Sequence, residues 1–267
     1  MQWGNCRSSS GLRSSHLRDH IGRGPAYAAL LGEIAAETFW PTRCAVCGSP
    51  GEVLCARCRR ALAFIDQWRA CPRCGAPWGV HECTECNALS MKGTGFARPP
   101  FDGCVSAVLF DDAAAHIVRL NKDEGERRLA DWMAFFIASA MPPEWLAGSC
   151  VTYIPDSAKA RLRRGYDHGR ELGLATARLL ELPLVDALAQ PRAHDQRDLG
   201  RADRFVNMAQ ALSVTVQPAA RARLGLYESV IVVDDVFTTG ATLYSAAHVL
   251  SDASDRKVWA ATFARVY

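Results

Sequence analysis

Nowhere does the sequence reach the roughly 18 consecutive apolar residues that a membrane-spanning helix needs, and its first residues lack the apolar stretch of a secretory leader. In the richest apolar segment, 129–141, Leu129, Trp132, Met133, Phe136, Ile137 and Ala140 fall on one helical face, the spacing of a buried core helix. Charge of one sign is also scarce. The formal charge of +3 is contained in residues 1–25, where Arg7, Arg13, Arg18 and Arg23 outnumber Asp19, so the rest of the chain is formally neutral. Net charge therefore gives no reason to expect strong non-specific affinity for nucleic acid. These absences predict a cytoplasmic protein with no membrane insertion. With 267 residues, 49% hydrophobic and 22% charged, the chain is long enough for one sizeable core and a small module. Residues 1–34, rich in Ser, Arg and Gly, read as a disordered tail and lead-in, with an early start codon or a weak targeting segment as alternatives.

Cysteine, by contrast, is abundant. Eight of the 11 cysteines form four Cys-x-x-Cys pairs: Cys44/Cys47, Cys55/Cys58, Cys71/Cys74 and Cys83/Cys86. Two thiolates on one tight turn converge on a tetrahedral ion, and a second turn completes a four-cysteine site. Glycine follows the second cysteine in "CAVCG" and "CPRCG", where it tolerates the positive φ that turns backbone amides toward sulfur. Residues 35–95 are thus expected to be a double zinc ribbon with two structural zinc ions, with iron–sulfur as the rival metal. The simplest pairing is consecutive; an interleaved one is also open. Each site carries a formal 2− charge, which Arg57, Arg59, Arg60, Arg69 and Arg73 are placed to offset.

From residue 96 the pattern changes to alternating strands and helices. Strands are expected at 104–110, 149–155, 229–235 and 257–266. Helices are expected around a break near Gly125 and over 169–180 and 242–253. The alternation predicts an α/β domain, 96–267, with a mainly parallel sheet flanked by helices. The segment "VIVVDDVFTTGAT", 230–242, is its most informative stretch. Ligands of such sheets bind beyond the carboxyl ends of the strands. There a helix N-terminus with a permissive glycine and threonine hydroxyls suits phosphate. Asp234 and Asp235 suit the vicinal hydroxyls of a sugar, directly or through Mg2+ and water. A phosphorylated ribose is the ligand this chemistry describes.

The same stretch resembles the phosphoribosyl-diphosphate (PRPP) motif of type I phosphoribosyltransferases. With "TYIPDSAKARLRRGYDH" (152–168), "DQRDLGRADRFVNM" (195–208), "NKDEGERRLA" (121–130) and the cysteine turns, the ordered motifs resemble the ComF/GntX family of competence-related proteins. The resemblance implies the type I phosphoribosyltransferase fold and binding of Mg-PRPP, with phosphoribosyl transfer to an unknown acceptor. It implies that Asp234 and Asp235 hold the ribose hydroxyls and the magnesium shell, and that Thr238, Thr239, Gly240, Ala241 and Thr242 cradle the 5′-phosphate. Asp156, Ser157, Lys159, Arg161, Arg163 and Arg164 would form the pyrophosphate loop, and Gln196, Arg204 and Asn207 a hood. Lys122 would be a phosphate contact. Two positions depart from relatives: Thr238 replaces the acid of purine-salvage enzymes, and Asp167 replaces the family's Asn. A PRPP-responsive regulator without turnover and an accessory protein handling single-stranded DNA or docking DNA-processing proteins remain alternatives. Trp40, Trp68 and Trp78 are the tryptophans near the ribbon, and any of them could be core.

Overall fold

The computed structural model describes residues 41–189 and 215–267, and residues 43–267 form one compact unit. The tail expected over 1–34 and the hood residues Gln196, Arg204 and Asn207 lie outside the described residues.

The described chain begins with the two four-cysteine groups, the first of which includes a short helix α1 (Ala56–Ala61) carrying Cys58, and then builds the sheet. In chain order come β1 (Gly103–Leu109), α2 (Asp112–Asp123), α3 (Leu129–Ala140) and β2 (Ser149–Tyr153). They are followed by α4 (Ala158–Arg164), α5 (His168–Leu179), and the short pair β3 (Leu188–Ala189) and β4 (Thr215–Val216). The chain closes with α6 (Pro218–Leu224), β5 (Ser229–Phe237), α7 (Ala241–Ser254) and β6 (Lys257–Arg265). The main sheet is four-stranded, ordered β1-β6-β5-β2, and every neighbouring pair is parallel. The protein is therefore a mixed α/β structure with a parallel sheet and an N-terminal Cys-rich module.

Strand periodicity explains how the sheet is covered. Val105, Val151, Ile231, Val233, Ala261 and Phe263 share one core with α2, α3 and α5. The alternate residues Cys104, Cys150, Val230, Val232, Val258 and Ala260 share the other with α6 and α7. Both faces are dry, so the strands read as continuous apolar runs rather than alternating ones. The two cysteine turns divide between these faces. Cys44, Leu54, Cys58 and Leu62 join the first core, and Cys71, Cys74, Ala76 and Cys86 join the second.

Local chemistry sets the helix ends. Asp111 accepts from the Ala114 amide as the N-cap of α2, and the break expected near Gly125 falls where that glycine takes φ +78°. Core spacing in 129–141 is matched: Leu129, Met133, Phe136 and Ile137 of α3 are buried. The carboxyl end of the 229–235 strand is shifted. β5 continues to Phe237, so Asp234 and Asp235 lie within the strand rather than at its tip. Continued pairing with β6, Asp234 opposite Thr262 and Phe237 opposite Arg265, holds these extra residues extended.

Candidate functional site

The four cysteine pairs assemble consecutively. Sulfurs of Cys44, Cys47, Cys55 and Cys58 form one group and those of Cys71, Cys74, Cys83 and Cys86 another, each within 4.8 Å of one another. A tetrahedral zinc with sulfur at about 2.3 Å sets sulfur–sulfur edges of about 3.8 Å. The separations fit: Cys47–Cys55 is 3.8 Å, Cys71–Cys86 3.7 Å and Cys74–Cys83 3.5 Å. In both knuckles the glycine amide returns to the first cysteine's carbonyl, Gly48 to Cys44 and Gly75 to Cys71, each at 2.8 Å. Gly48 and Gly75 take φ +71° and +72°, as those turns require. Two structural zinc ions fit these residues, and with four thiolates each they leave no position for substrate. Of the nearby arginines, Arg57 faces the Cys47 thiol. Arg59 instead donates to the Leu54 carbonyl at 2.8 Å and lies over the Trp132 ring. Cys104 and Cys150, outside the pairs, are core residues whose thiols burial pushes up to about 12.

The second cluster of polar groups lies at the carboxyl ends of β2 and β5. The last pair of these strands is Tyr153 with Val233, so β5 outruns β2 and leaves Asp234 and Asp235 with one edge unpaired by strand. Asp235 is buried, and Lys122 at the end of α2 donates to its Oδ2 at 2.8 Å. His168 Nδ1 lies 4.0 Å from the same oxygen, and its Nε2 is buried without a hydrogen-bond partner. Burial opposes ionisation of Asp235, but the Lys122 ammonium outweighs it and holds the carboxyl below its ordinary value. Asp234 has no such neighbour at hydrogen-bond distance; burial first, and repulsion from Asp235 second, push it well above the ordinary carboxylate range. Lys122 is itself desolvated, yet Asp235 raises its pKa. Burial lowers the pKa of His168, against the pull of Asp235. The two carboxylates, chemically alike in sequence, are thus driven apart in character.

Beyond the pair, Thr238 and Thr239 are exposed, and Gly240 opens α7 in the left-handed conformation, φ +78°, without a side-chain cap. The first amides of this 14-residue helix have no intrahelical acceptor, the arrangement that favours an anion. Gly240 also sits where a Cβ would press within 2.8 Å of the rings of Phe237 and Tyr244.

The expected pyrophosphate loop is a helix. Residues 158–164 form α4, with Ser157 as N-cap to the Ala160 amide and Gly165 closing it at φ +80°. Seven non-β-branched helix formers and the Ser cap explain why an arginine-rich stretch winds rather than loops. Its three arginines are ion-paired within the chain: Arg161 to Asp167, Arg163 to Asp123, and Arg164 to both Asp123 and Asp156. Lys159 is exposed on the same helix. Asp167 is the N-cap of α5, accepting from the Arg170 amide at 3.1 Å, so this acid has a structural task. The His168 amide donates to Asp156 at 2.9 Å. α5 packs so closely on the end of β2 that a Cβ at Gly169 would collide with the Ile154 carbonyl.

Two further participants carried no assigned role from the sequence: Asp123, although it lies inside the 121–130 motif, and His168, which is buried at the start of α5. Both are brought in by chain segments far apart in sequence. Lys122, expected to touch phosphate, meets Asp235 in this structure.

No helix among the described residues is long and apolar enough to cross a membrane. No curated protein matches the chain. Residues 35–90 match the double zinc ribbon domain family, in agreement with the two four-sulfur clusters built by residues 44–86. The chain carries an N-terminal double zinc ribbon.

Proposed function

We propose that this is a cytoplasmic ComF/GntX-type protein of the type I phosphoribosyltransferase fold that binds Mg-PRPP and transfers its phosphoribosyl group to an acceptor. One observation carries the reading. Asp234 and Asp235 lie where β5 outruns β2, a few residues before a left-handed glycine opens a long helix. Carboxylates suited to a diol and amides suited to a phosphate occupy one strand–turn–helix. The carboxylate oxygens are hard donors of the kind that hold the water shell of Mg2+. Magnesium would neutralise the departing pyrophosphate.

In this reading the residues of the chain orient the ribose and shield the anomeric carbon as it gains positive charge and pyrophosphate leaves. Asp234 and Asp235 hold the ribose hydroxyls. The turn 238–242 holds the 5′-phosphate. Pyrophosphate must draw Arg161, Arg163 and Arg164 from Asp167, Asp123 and Asp156, so ligand binding exchanges one set of anions for another. Thr238, where purine-salvage relatives place an acid, argues for an acceptor other than a purine base. Titration calorimetry of the zinc-loaded protein with PRPP, with and without Mg2+, tests the reading. Magnesium-dependent heat supports it, and no heat under either condition overturns it. Release of pyrophosphate with candidate acceptors separates a transferase from a PRPP-responsive regulator.

A second reading, handling of single-stranded DNA, is favoured by one observation. Trp68 and Trp78 are surface residues, 92% and 57% exposed, and Trp78 shares a shallow cleft with Phe64, Arg69 and Pro77. Exposed rings beside a guanidinium suit base stacking. Loss of oligonucleotide affinity in Trp68→Ala would support it; affinity unchanged by that substitution would count against it.

A further inference from the structure

We infer that the second zinc site, Cys71/Cys74/Cys83/Cys86, positions the 238–242 turn through Arg265, so that the state of that site and not of the first sets the geometry of the anion-binding turn. The inference rests on the phosphoribosyl reading for the identity of the ligand, but not for the coupling itself.

Arg265, the last residue of β6, is 1% exposed. A guanidinium buried this deeply needs fixed partners, and both come from the second ribbon. One nitrogen donates to the Cys74 carbonyl at 2.8 Å and the other to Glu85 Oε2 at 2.9 Å. Cys74 is a zinc ligand and Glu85 directly precedes another, Cys86. Closing the four thiolates on an ion therefore fixes both acceptors. On its other side the guanidinium carbon lies 3.9 Å from the centroid of the Phe237 ring, a cation–π contact in a dry setting.

Phe237 carries the constraint onward. It is the last residue of β5, pairs in register with Arg265, and accepts the Val266 amide at 2.9 Å. Its ring meets that of Tyr244 edge-on, centroids 6.1 Å apart. Gly240 is moulded against these same two rings, with no room for a Cβ. Tyr244 is braced in turn by Phe96 and Phe101, on the segment leading out of the ribbon. Zinc knuckle, guanidinium, ring and turn thus form one packed series. The first cluster packs into the opposite core, with Leu54 and Leu62 beside Phe136.

The test uses the full zinc-loaded chain and three variants. Cys83→Ser opens the second site, Cys47→Ser opens the first, and Glu85→Ala keeps every zinc ligand while removing one partner of Arg265. Zinc content per chain establishes the state of each. Amide hydrogen exchange of a peptide covering 237–243 is the readout. About tenfold faster exchange is expected for Cys83→Ser, with little change for Cys47→Ser. Glu85→Ala should fall between them at full zinc content. Equal protection in all four proteins, or equal acceleration by both cysteine changes, would overturn the inference. If Cys83→Ser fails to fold, Glu85→Ala decides: wild-type exchange in that peptide refutes the relay. Mg-PRPP titrations of the same proteins should weaken in the same order. A wild type that binds no PRPP would remove the phosphoribosyl reading while leaving the exchange result to judge the relay.

Discussion

Asp234→Asn should make the protein more stable and less able to bind its ligand. The substitution keeps the shape of the side chain and the oxygen that accepts the Asp235 amide, a 2.9 Å bond in the native protein. It removes a carboxyl that burial, and then the neighbouring Asp235, push well above its ordinary value. Replacing a half-buried, poorly compensated charge with a neutral group of the same shape gains on the order of 1–2 kcal/mol. For a chain of this size that is roughly 3–6 °C in melting temperature. The sign of the pH dependence follows from the raised pKa. Such a group contributes stability that is full below its unfolded value and is lost as pH rises through its folded one. Asn does not titrate. The advantage of the variant should therefore be smallest near pH 4, about where the unfolded carboxyl begins to ionise, and grow as the pH rises toward 8. Thermal unfolding of zinc-loaded wild type and variant across that range gives the comparison, and calorimetry with Mg-PRPP gives the functional half. A variant less stable than wild type at pH 8, or a gain independent of pH, would refute the electrostatic argument. Stabilisation with PRPP binding intact would keep the electrostatics and refute the site.

Lys122→Met leaves Asp235 buried and unpaired. Because Lys122 is 34% exposed, the loss is discounted to about 1–2 kcal/mol. It should shrink in acid as Asp235 takes up a proton, which urea unfolding at two pH values will show. Metal analysis should find about two zinc per chain, falling to one in Cys83→Ser, because each ion needs its own four thiolates. Asp167→Asn should keep the cap on α5, since either side chain accepts from the Arg170 amide, and should tighten Mg-PRPP severalfold by releasing Arg161; unchanged affinity would count against Arg161 as a pyrophosphate contact. Gly169→Ala should cost about 3 kcal/mol or more by driving α5 off the Ile154 carbonyl, measured as a lower denaturation midpoint.

Legibility in the sequence followed the range of each interaction. The zinc module was readable down to its ligands because a Cys-x-x-Cys turn is local chemistry, and only the pairing of turns needed the fold. The parallel sheet was readable because strands such as 229–235 are apolar throughout, the mark of burial on both faces. What escaped was decided by neighbours remote in the chain. β5 runs past its acidic pair because β6 keeps pairing beside it. The arginines of 158–164 are engaged within the chain because Asp123, about 40 residues upstream, pairs with two of them. The split between Asp234 and Asp235 depends on a lysine more than a hundred residues upstream. Trp68, for which the sequence left a core position open, is almost fully exposed.

The ribbon's connecting segment also determines how copies of this chain can meet. β1 is an edge strand of the sheet, yet Leu109 donates to the Ala63 carbonyl and Ile65 to that of Ala107, at 2.8 and 3.0 Å. At the opposite edge, Val151 exchanges hydrogen bonds with Pro183 and Val185 at 2.9 and 2.8 Å. Both rims of the sheet are thereby stitched by the chain's own backbone, β1 toward its carboxyl end and β2 at its middle. A second molecule cannot extend the sheet by laying a strand alongside without first unpicking one of these stitches, and one of them is anchored between two metal sites. The zinc module thus guards against strand-by-strand aggregation.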